Sequence, residues 1–279
     1  MIADKYITIL GASGFIGSRL VQRLGELGLA CQAPRRTDDL SAANLGDVIY
    51  CIGLTSDFRS RPFDTVNAHV CKLLEVLQTC KFDSLLYLSS TRIYGTHLSP
   101  ARTIATEEDV LQLAPMNPDH FYNISKAMAE SLLFASRKKV RVARLSNVYG
   151  NNFASNTFLS SIIREAIFTK NITLETAADS EKDYISINDA VDGLIKIAVS
   201  GRHDVYNVAS GTNVSHGQLV KNIAELTGCE VHIPPEAPTV SFPRIDIQRM
   251  GEEFEFKPSS NVLDDLSELI ESYKNHATA

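Results

Sequence analysis

The sequence lacks several features that would assign it to particular classes of protein. It has no excess of basic residues, because its 27 lysines and arginines are outnumbered by 33 aspartates and glutamates, so we expect no nucleic-acid partner. No apolar run approaches the roughly 20 residues of a membrane-spanning helix, so no membrane partner is expected. The first predicted strand begins at Tyr6, so we expect no signal peptide.

Metal-binding patterns are missing as well. The five cysteines are odd in number and scattered, and the seven histidines form no H-x-x-x-H pair. We therefore expect no metal site, and we interpret the cysteines as reduced thiols in a cytoplasmic protein. The sequence contains no internal repeat, low-complexity tract or linker, so its 279 residues suit one large α/β domain with a smaller lobe.

The clearest pattern that is present is a glycine-rich turn near the N terminus. Residues 6–10 are β-branched and apolar, as in a buried parallel strand, and Leu20, Val21, Leu24 and Leu27 then recur at helical spacing. A strand that turns on glycines into a helix directs backbone N–H groups and the positive helix end at one point. This arrangement predicts binding of a nucleotide pyrophosphate; the alternative is a tight turn without a ligand. The predicted binding residues are Gly11, Ser13, Gly14, Phe15, Ile16 and Gly17.

The second strand, predicted over 29–33, indicates which cofactor is bound. An acidic residue usually follows it and binds the adenosine ribose, but Arg35 and Arg36 stand there instead. Two guanidinium groups suit a ribose 2′-phosphate, so NADP(H) is the expected cofactor and NAD(H) is the alternative. A solvated basic turn would also explain the pair. We interpret Asp39 and Leu40 as a strand end that contacts adenine.

Two further strands are predicted to end in residues that could contact ligands. Residues 47–53 form a buried strand that ends at Gly53, and residues 84–89 form another that runs into Ser90-Thr91-Arg92. In open parallel sheets, ligands bind at the carboxyl ends of the strands. We therefore expect a cleft at this edge, covered by a loop over 96–120.

Two helices contribute the remaining candidates. The helix predicted over 63–79 carries Asn67, which taken alone would suit a surface position equally well. The helix predicted over 121–136 places Tyr122 and Lys126 four residues apart on one face. An ammonium beside a phenol favours the phenolate, so we predict a lowered pKa for Tyr122 and a role as general acid/base. By itself such a pair is common on helix surfaces. The catalytic interpretation depends on its position in the chain, one strand-helix unit after the serine loop, Ser90-Thr91-Arg92.

The order of the elements predicts the fold class. Strands alternate with helices, which indicates an α/β fold: a Rossmann-like doubly wound parallel sheet with a smaller C-terminal α/β substrate lobe. The NAD(P)-binding domain is predicted over 1–150, with 183–199 returning to it, and the lobe over 151–279. Asn188-Asp189 are the N-cap candidates for the helix that returns to the sheet.

Taken together, the glycine turn, the serine loop and the Tyr-x-x-x-Lys helix resemble the extended short-chain dehydrogenase/reductase family over nearly the whole chain. The closest likeness is to its nucleotide-sugar epimerases, dehydratases and 4-ketoreductases. The resemblance implies that Ser90, Tyr122 and Lys126 are catalytic, and that Asn67 matches a helix asparagine of the family. It also implies a set of substrate contacts, namely Ser90, Thr91, Arg92, Asn147, Lys182 and Arg244.

The mechanism that the resemblance implies assigns a role to each catalytic residue. Lys126 holds the nicotinamide ribose and acidifies Tyr122, Ser90 binds the reacting sugar oxygen, and Tyr122 gives or takes a proton during hydride transfer. The family habit also implies a homodimer that pairs the helices over 63–79 and 121–136.

One departure from the family pattern narrows the choice among the reactions of the family. Thr91-Arg92 occupy the position where 4,6-dehydratases carry Asp-Glu for water elimination, which argues against a dehydratase. The implied function is NAD(P)-dependent hydride transfer at C4 of a nucleotide-activated sugar, in an epimerase or a 4-ketoreductase. Two alternatives stay open, a reductase of another small carbonyl compound and a non-catalytic NAD(P)-binding sensor.

Overall fold

A computed structural model describes residues 6–41, 43–95 and 103–278 of the chain. Residues 96–102, which belong to the loop predicted over 96–120, lie outside the described residues. Within the described ranges, no helix is both long enough and apolar enough to cross a membrane.

The strands are labelled β1 to β13 in chain order. Their bounds are Ile7–Leu10, Cys31–Gln32, Asp47–Tyr50, Ser84–Ser90, Ile104–Ala105, Val140–Leu145, Asn147–Tyr149, Asn171–Thr173, Glu181–Ser186, Val205–Val208, Asn213–Ser215, Glu230–His232 and Arg244–Ile245.

The α-helices are labelled α1 to α9 in the same way. Their bounds are Phe15–Glu26, Pro62–Val66, Lys72–Thr79, Phe121–Ala135, Phe158–Phe168, Ile187–Ser200, His216–Thr227, Gln248–Phe254 and Val262–Thr278. A π-helical turn, Asn67–Cys71, joins α2 to α3, and two 3₁₀ turns span Thr91–Tyr94 and Pro118–His120.

Six strands form the central sheet in the order β10-β6-β4-β3-β1-β2, and all of its neighbouring pairs are parallel. One face packs against α1 and α6 through side chains such as Leu20 and Leu194. The other face packs against α3 and α4 through Leu73, Leu77 and Leu133. The predicted doubly wound parallel sheet is therefore confirmed.

A second core lies outside the central sheet. It is built from α5, α7 and α9 with two short strands, and Ile162, Leu219 and Leu266 are among its buried side chains. A small sheet in the order β11-β9-β7 joins this core to the central one. The smaller α/β lobe is thus present, and a boundary at residue 150 remains our interpretation.

The structure corrects three local predictions. The strand predicted over 29–33 is only Cys31–Gln32, and the helix predicted over 63–79 is interrupted by the π-helical turn. The N-cap of α6 is Ser186 rather than Asn188-Asp189, because the Ser186 hydroxyl accepts a hydrogen bond from the Asp189 amide at 3.0 Å. The Asp189 carboxylate instead accepts hydrogen bonds from Ser259, so it ties the C-terminal segment to this helix.

The close contact between β1 and α1 predicts the outcome of a glycine substitution. A Cβ atom at position 17 would lie 2.3 Å from the Gly11 carbonyl oxygen, so Gly17→Ala should lower the free energy of unfolding by about 1–3 kcal/mol. Gly25→Ala in the same helix is the control, because a Cβ there meets nothing within 4 Å, and it should raise stability by about 0.5–1 kcal/mol. Urea denaturation measures both, and equal stabilities would contradict the packing described here.

Candidate active site

A cavity of about 330 Å³ lies at the carboxyl ends of the central strands. One side is formed by the glycine turn and by the segments that follow β3, β4 and β6, and the other side comes from the C-terminal lobe. Residues 14–17, 51–55, 88–92 and 145–150 line the first side, and Phe158, Lys182, Phe242 and Tyr273 are among the lobe residues that line the second.

The glycine turn forms a cradle that fits the pyrophosphate of a dinucleotide. Gly14 is the N-cap of α1, and no side chain in the described part of the chain caps the helix, so its first backbone N–H groups are left for a ligand. Gly11 adopts a φ of +89°, and a Cβ there would lie 3.0 Å from the backbone after β3. Phe15 and Ile16 line the cavity beside this turn, whereas Ser13 is exposed outside its lining.

The three predicted catalytic residues line the same cavity. Ser90 is the last residue of β4, while Tyr122 and Lys126 lie one turn apart on the buried face of α4. The Ser90 side chain lies near the Tyr122 phenol and lowers its pKa. The hydroxyl of Ser90 also accepts a hydrogen bond from the Arg92 amide at 3.2 Å, which fixes its orientation.

Lys126 is buried and contacts the cavity with the small part of its surface that stays exposed. Its Nζ donates a hydrogen bond to the Leu88 carbonyl at 2.8 Å and lies 4.7 Å from the ring centre of Tyr87. Burial lowers the pKa of Lys126 to about 7, although the nearby Glu130 carboxylate opposes the shift. The ammonium is therefore held in place by the end of β4.

The predicted effect of Lys126 on Tyr122 is wrong. Burial raises the pKa of the Tyr122 phenol above its ordinary value, and the opposing influences are the nearby Ser90 side chain and the positive charge of Arg92. The Lys126 ammonium lies 6.0 Å from the Tyr122 ring centre and donates to Leu88 instead. Arg92 is thus the cation that favours the phenolate in this structure.

His69 is a residue of the site that the sequence reasoning missed. It is fully buried, its Nδ1 lies 2.8 Å from the Ser125 hydroxyl, and its Nε2 lies 3.1 Å from the Leu54 carbonyl oxygen. Its ring meets the Tyr122 ring edge-on with 5.4 Å between centres. Burial, reinforced by the charge of Lys126, lowers the pKa of His69 to about 2. His69 is therefore a neutral support that joins the segment after β3 to α4.

The π-helical turn explains why His69 was missed. The turn places His69 inside while Asn67 is exposed and outside the cavity lining. A regular helical period over 63–79 puts Val66 and Leu74 in the core, yet both are exposed. The apolar residues of this segment fit one continuous helical period in the sequence, so the sequence offered no signal of the π-helical turn.

An ion pair stabilises the layer behind the predicted catalytic residues. Arg144 Nη2 lies 2.7 Å from Glu130 Oε2, and both side chains are buried. The Ser89 hydroxyl donates to Glu130, and Arg144 donates to the Tyr94 hydroxyl at 3.0 Å. This network connects α4 with β4 and β6, which carry the residues at the cavity floor.

The other predicted residues divide into two groups. Gly53, Thr91, Arg92, Asn147 and Lys182 line the cavity together with the catalytic residues. Others lie outside the cavity lining: Arg35, Arg36, Asp39, Leu40, Asn67 and Arg244.

The position of the two arginines still suits a cofactor phosphate. Arg35 and Arg36 are exposed in the turn after β2, which pairs with β1 at the same sheet edge as the glycine turn. The Asp39 carboxylate accepts hydrogen bonds from Ser41, so it belongs to the fold of this turn.

The comparison with protein families identifies the group to which the chain belongs. The model of the NAD dependent epimerase/dehydratase family matches residues 44–209, more than half of the sequence. The chain therefore belongs to this family, whose relatives here are nucleotide-sugar reductases, decarboxylases and epimerases. The predicted membership of the extended short-chain dehydrogenase/reductase family is confirmed.

Two curated relatives illustrate the range of the family. The GDP-6-deoxy-D-mannose reductase of Pseudomonas aeruginosa is 28% identical over 253 residues, which cover 81% of each chain. UDP-glucuronic acid decarboxylase 6 of Arabidopsis thaliana is 22% identical, and the alignment covers 98% of this chain and 90% of the relative.

Solved structures share the fold. MoeE5 in complex with UDP-glucuronic acid and NAD superposes with a TM-score of 0.79 and 20% identity, over 98% of this chain and 99% of that one. RMD from Pseudomonas aeruginosa in complex with NADPH gives a TM-score of 0.80 and 22% identity, over 97% and 99%. These structural neighbours bind NAD or NADPH.

The buried His69 generates a prediction about the pH dependence of stability. Between its folded pKa of about 2 and its ordinary value of 6.5, the unfolded chain binds a proton that the folded protein does not. Stability is therefore lost as the pH falls below 6.5, by up to about 1.4 kcal/mol per pH unit. The variant His69→Gln should lack this contribution. Between pH 6.5 and 5, the free energy of unfolding of the wild type should therefore fall by roughly 1–2 kcal/mol more than that of the variant.

Urea denaturation across this pH range measures the effect. The control is His232→Gln, which replaces an exposed histidine of β12 and should keep the slope of the wild type. Parallel slopes for wild type and His69→Gln would contradict a neutral, buried His69.

Proposed function

We propose that the protein catalyses hydride transfer at C4 of a nucleotide-activated sugar, as a 4-ketoreductase or a 4-epimerase. The observation that carries the proposal is that Ser90, Tyr122 and Lys126 line the same cavity as the glycine turn. The C-terminal lobe forms the opposite wall, where a sugar nucleotide would lie. The activity named for the GDP-6-deoxy-D-mannose reductase is of the same general kind, whereas the decarboxylase carries out another reaction on a sugar nucleotide.

Each catalytic residue has a defined task in this proposal. The Ser90 hydroxyl binds the reacting sugar oxygen, and the Tyr122 phenol donates a proton to that oxygen or removes one. The positive charge of Arg92 stabilises the phenolate while the proton is away. Lys126 orients the nicotinamide ribose from its fixed place beside Leu88. The bound cofactor would supply or accept the hydride.

The glycine turn would hold the cofactor, and the basic turn would select it. Gly11, Gly14 and Gly17 give the pyrophosphate access to the N terminus of α1. Arg35 and Arg36 would bind a ribose 2′-phosphate, so we propose NADP(H) as the cofactor, with NAD(H) as the alternative. A cofactor that is exchanged in each turnover supports the ketoreductase over the epimerase.

Exposed apolar side chains support the predicted homodimer. Phe63 of α2 is 89% exposed, and Met128 and Phe134 of α4 are also exposed. These helices are the ones expected to pair between two copies, so we propose that they form the dimer interface. We also propose a cytoplasmic location, as expected for a chain whose five cysteines are free thiols.

The proposed acid/base role of Tyr122 predicts the effect of removing its phenolic oxygen atom. Tyr122→Phe should reduce kcat by at least about 10²-fold, because the acid/base group is lost. Its affinity for NADP(H) should stay within a factor of a few, since the phenol does not touch the pyrophosphate cradle. Turnover is measured by NADPH absorbance and binding by fluorescence titration. Activity equal to that of the wild type would remove Tyr122 from the mechanism.

The cofactor assignment predicts a selective loss of affinity. Arg35→Ala should weaken the binding of NADP(H) by about 10-fold or more and the binding of NAD(H) much less, because only NADP(H) carries the 2′-phosphate. Lys221→Ala, which removes an exposed positive charge from α7, is the control and should change neither affinity. Equal losses for the two cofactors in Arg35→Ala would contradict the proposed recognition.

A further inference from the structure

The guanidinium of Arg92 lacks an ionic partner although it faces the cavity. Among the described residues, no carboxylate lies within ion-pair distance of it, and its buried Nε has no hydrogen-bond partner. The centre of the Phe58 ring lies 5.4 Å from the guanidinium carbon. Arg92 is half-buried, and a partly buried charge without an ion-pair partner is unfavourable, so an anion supplied by a ligand would stabilise it.

The other charges around Arg92 strengthen this requirement. Lys182, across the cavity, also has no carboxylate partner among the described residues, and it lies 4.7 Å above the Phe158 ring. Arg59 is nearby, but it is bound to Asp119 with 3.0 Å from Nε to Oδ1, so that acid is already engaged. The two cations of Arg92 and Lys182 repel each other, and burial lowers the pKa of both, that of Lys182 to about 8.

The buried acid next to Lys182 in sequence is also occupied. The Asp183 carboxylate accepts hydrogen bonds from the Ser210 amide at 2.9 Å and from the Thr212 amide at 3.1 Å. It serves the small β11-β9-β7 sheet and forms no ion pair with Lys182, and the carboxylate charge that acts on Arg92 from a distance is that of Asp119, which is bound to Arg59.

The place of Arg92 indicates which part of a substrate would carry the anion. Its backbone amide binds the Ser90 hydroxyl, and its charge acts on the Tyr122 phenol. Both of those groups face the reacting oxygen in the proposed function. In a nucleotide-activated hexose the diphosphate is attached to C1, across the ring from C4, whereas C6 is attached to the carbon next to C4. The anion that Arg92 can reach is therefore on C6.

We propose that Arg92 binds a carboxylate at C6, so that the substrate is a nucleotide-activated hexuronic acid rather than a neutral hexose. This inference rests on the proposed function, because it assumes that C4 reacts beside Ser90 and Tyr122. A planar guanidinium can bind such a carboxylate through two parallel hydrogen bonds, which makes the contact selective as well as strong.

The test compares matched pairs of sugars that differ only at C6. UDP-glucuronic acid is compared with UDP-glucose, and GDP-mannuronic acid with GDP-mannose, by calorimetry in the presence of NADP⁺. The 4-hydroxy sugars are used because a ketone at C4 beside a C6 carboxylate, which would be the substrate of a 4-ketoreductase, would lose carbon dioxide readily. A carboxylate at C6 therefore narrows the proposed function to the 4-epimerase, although an exchangeable cofactor alone would support the ketoreductase. In at least one pair the wild type should bind the acid about 10-fold or more tightly than the neutral sugar.

Variants assign the preference to Arg92. In Arg92→Gln the ratio of acid to neutral affinity should fall to near one, and Arg92→Lys should keep part of it. Arg59→Gln is the matched control, since it removes a neighbouring guanidinium that is already paired, and it should keep the ratio of the wild type. Thermal unfolding confirms that each variant is folded.

The outcomes separate this inference from the proposed function. If the wild type prefers the neutral sugars, or shows no preference, the carboxylate site is refuted; Tyr122-dependent turnover of a neutral sugar would leave the proposed function intact. If Arg92→Gln weakens the binding of UDP and GDP alone as much as the binding of the acidic sugar nucleotides, Arg92 binds the diphosphate and the inference is overturned. Absence of binding for all four sugars would refute it together with the proposed substrate class.

Discussion

The hydrogen bond from Lys126 to the Leu88 carbonyl holds the candidate active site together. It joins the middle of α4 to the last part of β4, and it does so inside the protein, where an ammonium needs such a partner. Because Tyr122 lies one turn earlier on the same helix and Ser90 lies two residues later on the same strand, this contact fixes the distance between phenol and hydroxyl. The buried Glu130–Arg144 pair supports the arrangement from behind.

Local patterns were sufficient to predict much of this site. The glycine turn could be located because its strand, turn and helix are consecutive in the sequence, and Gly17 must be glycine for the helix to approach the Gly11 carbonyl. Ser90 could be located because it ends a strand, and Tyr122 with Lys126 because their spacing places them on one helix face. The parallel sheet follows from the alternation of strands and helices.

Features that depend on contacts between distant segments could not be predicted. The role of His69 requires a π-helical turn that moves it inward and brings its ring to Leu54 and Ser125. The raised pKa of Tyr122 requires that Phe58 and His69 cover its ring, with centres 5.4 Å away in both cases. The sequence pattern suggested the wrong cation for this phenol, because it shows neighbours along a helix but not the loop that delivers Arg92.

The small sheet between the two cores constrains how the protein can accommodate a ligand. The chain passes between the central sheet and the C-terminal lobe through β7, β9 and β11, and these three strands are hydrogen-bonded side by side. A single connecting segment could act as a hinge, but a three-stranded ribbon bends only when all its strands bend together. Entry and release of a ligand would therefore rely on small twisting movements of the lobe and on the loops at the rim, while the floor of the cavity keeps its shape.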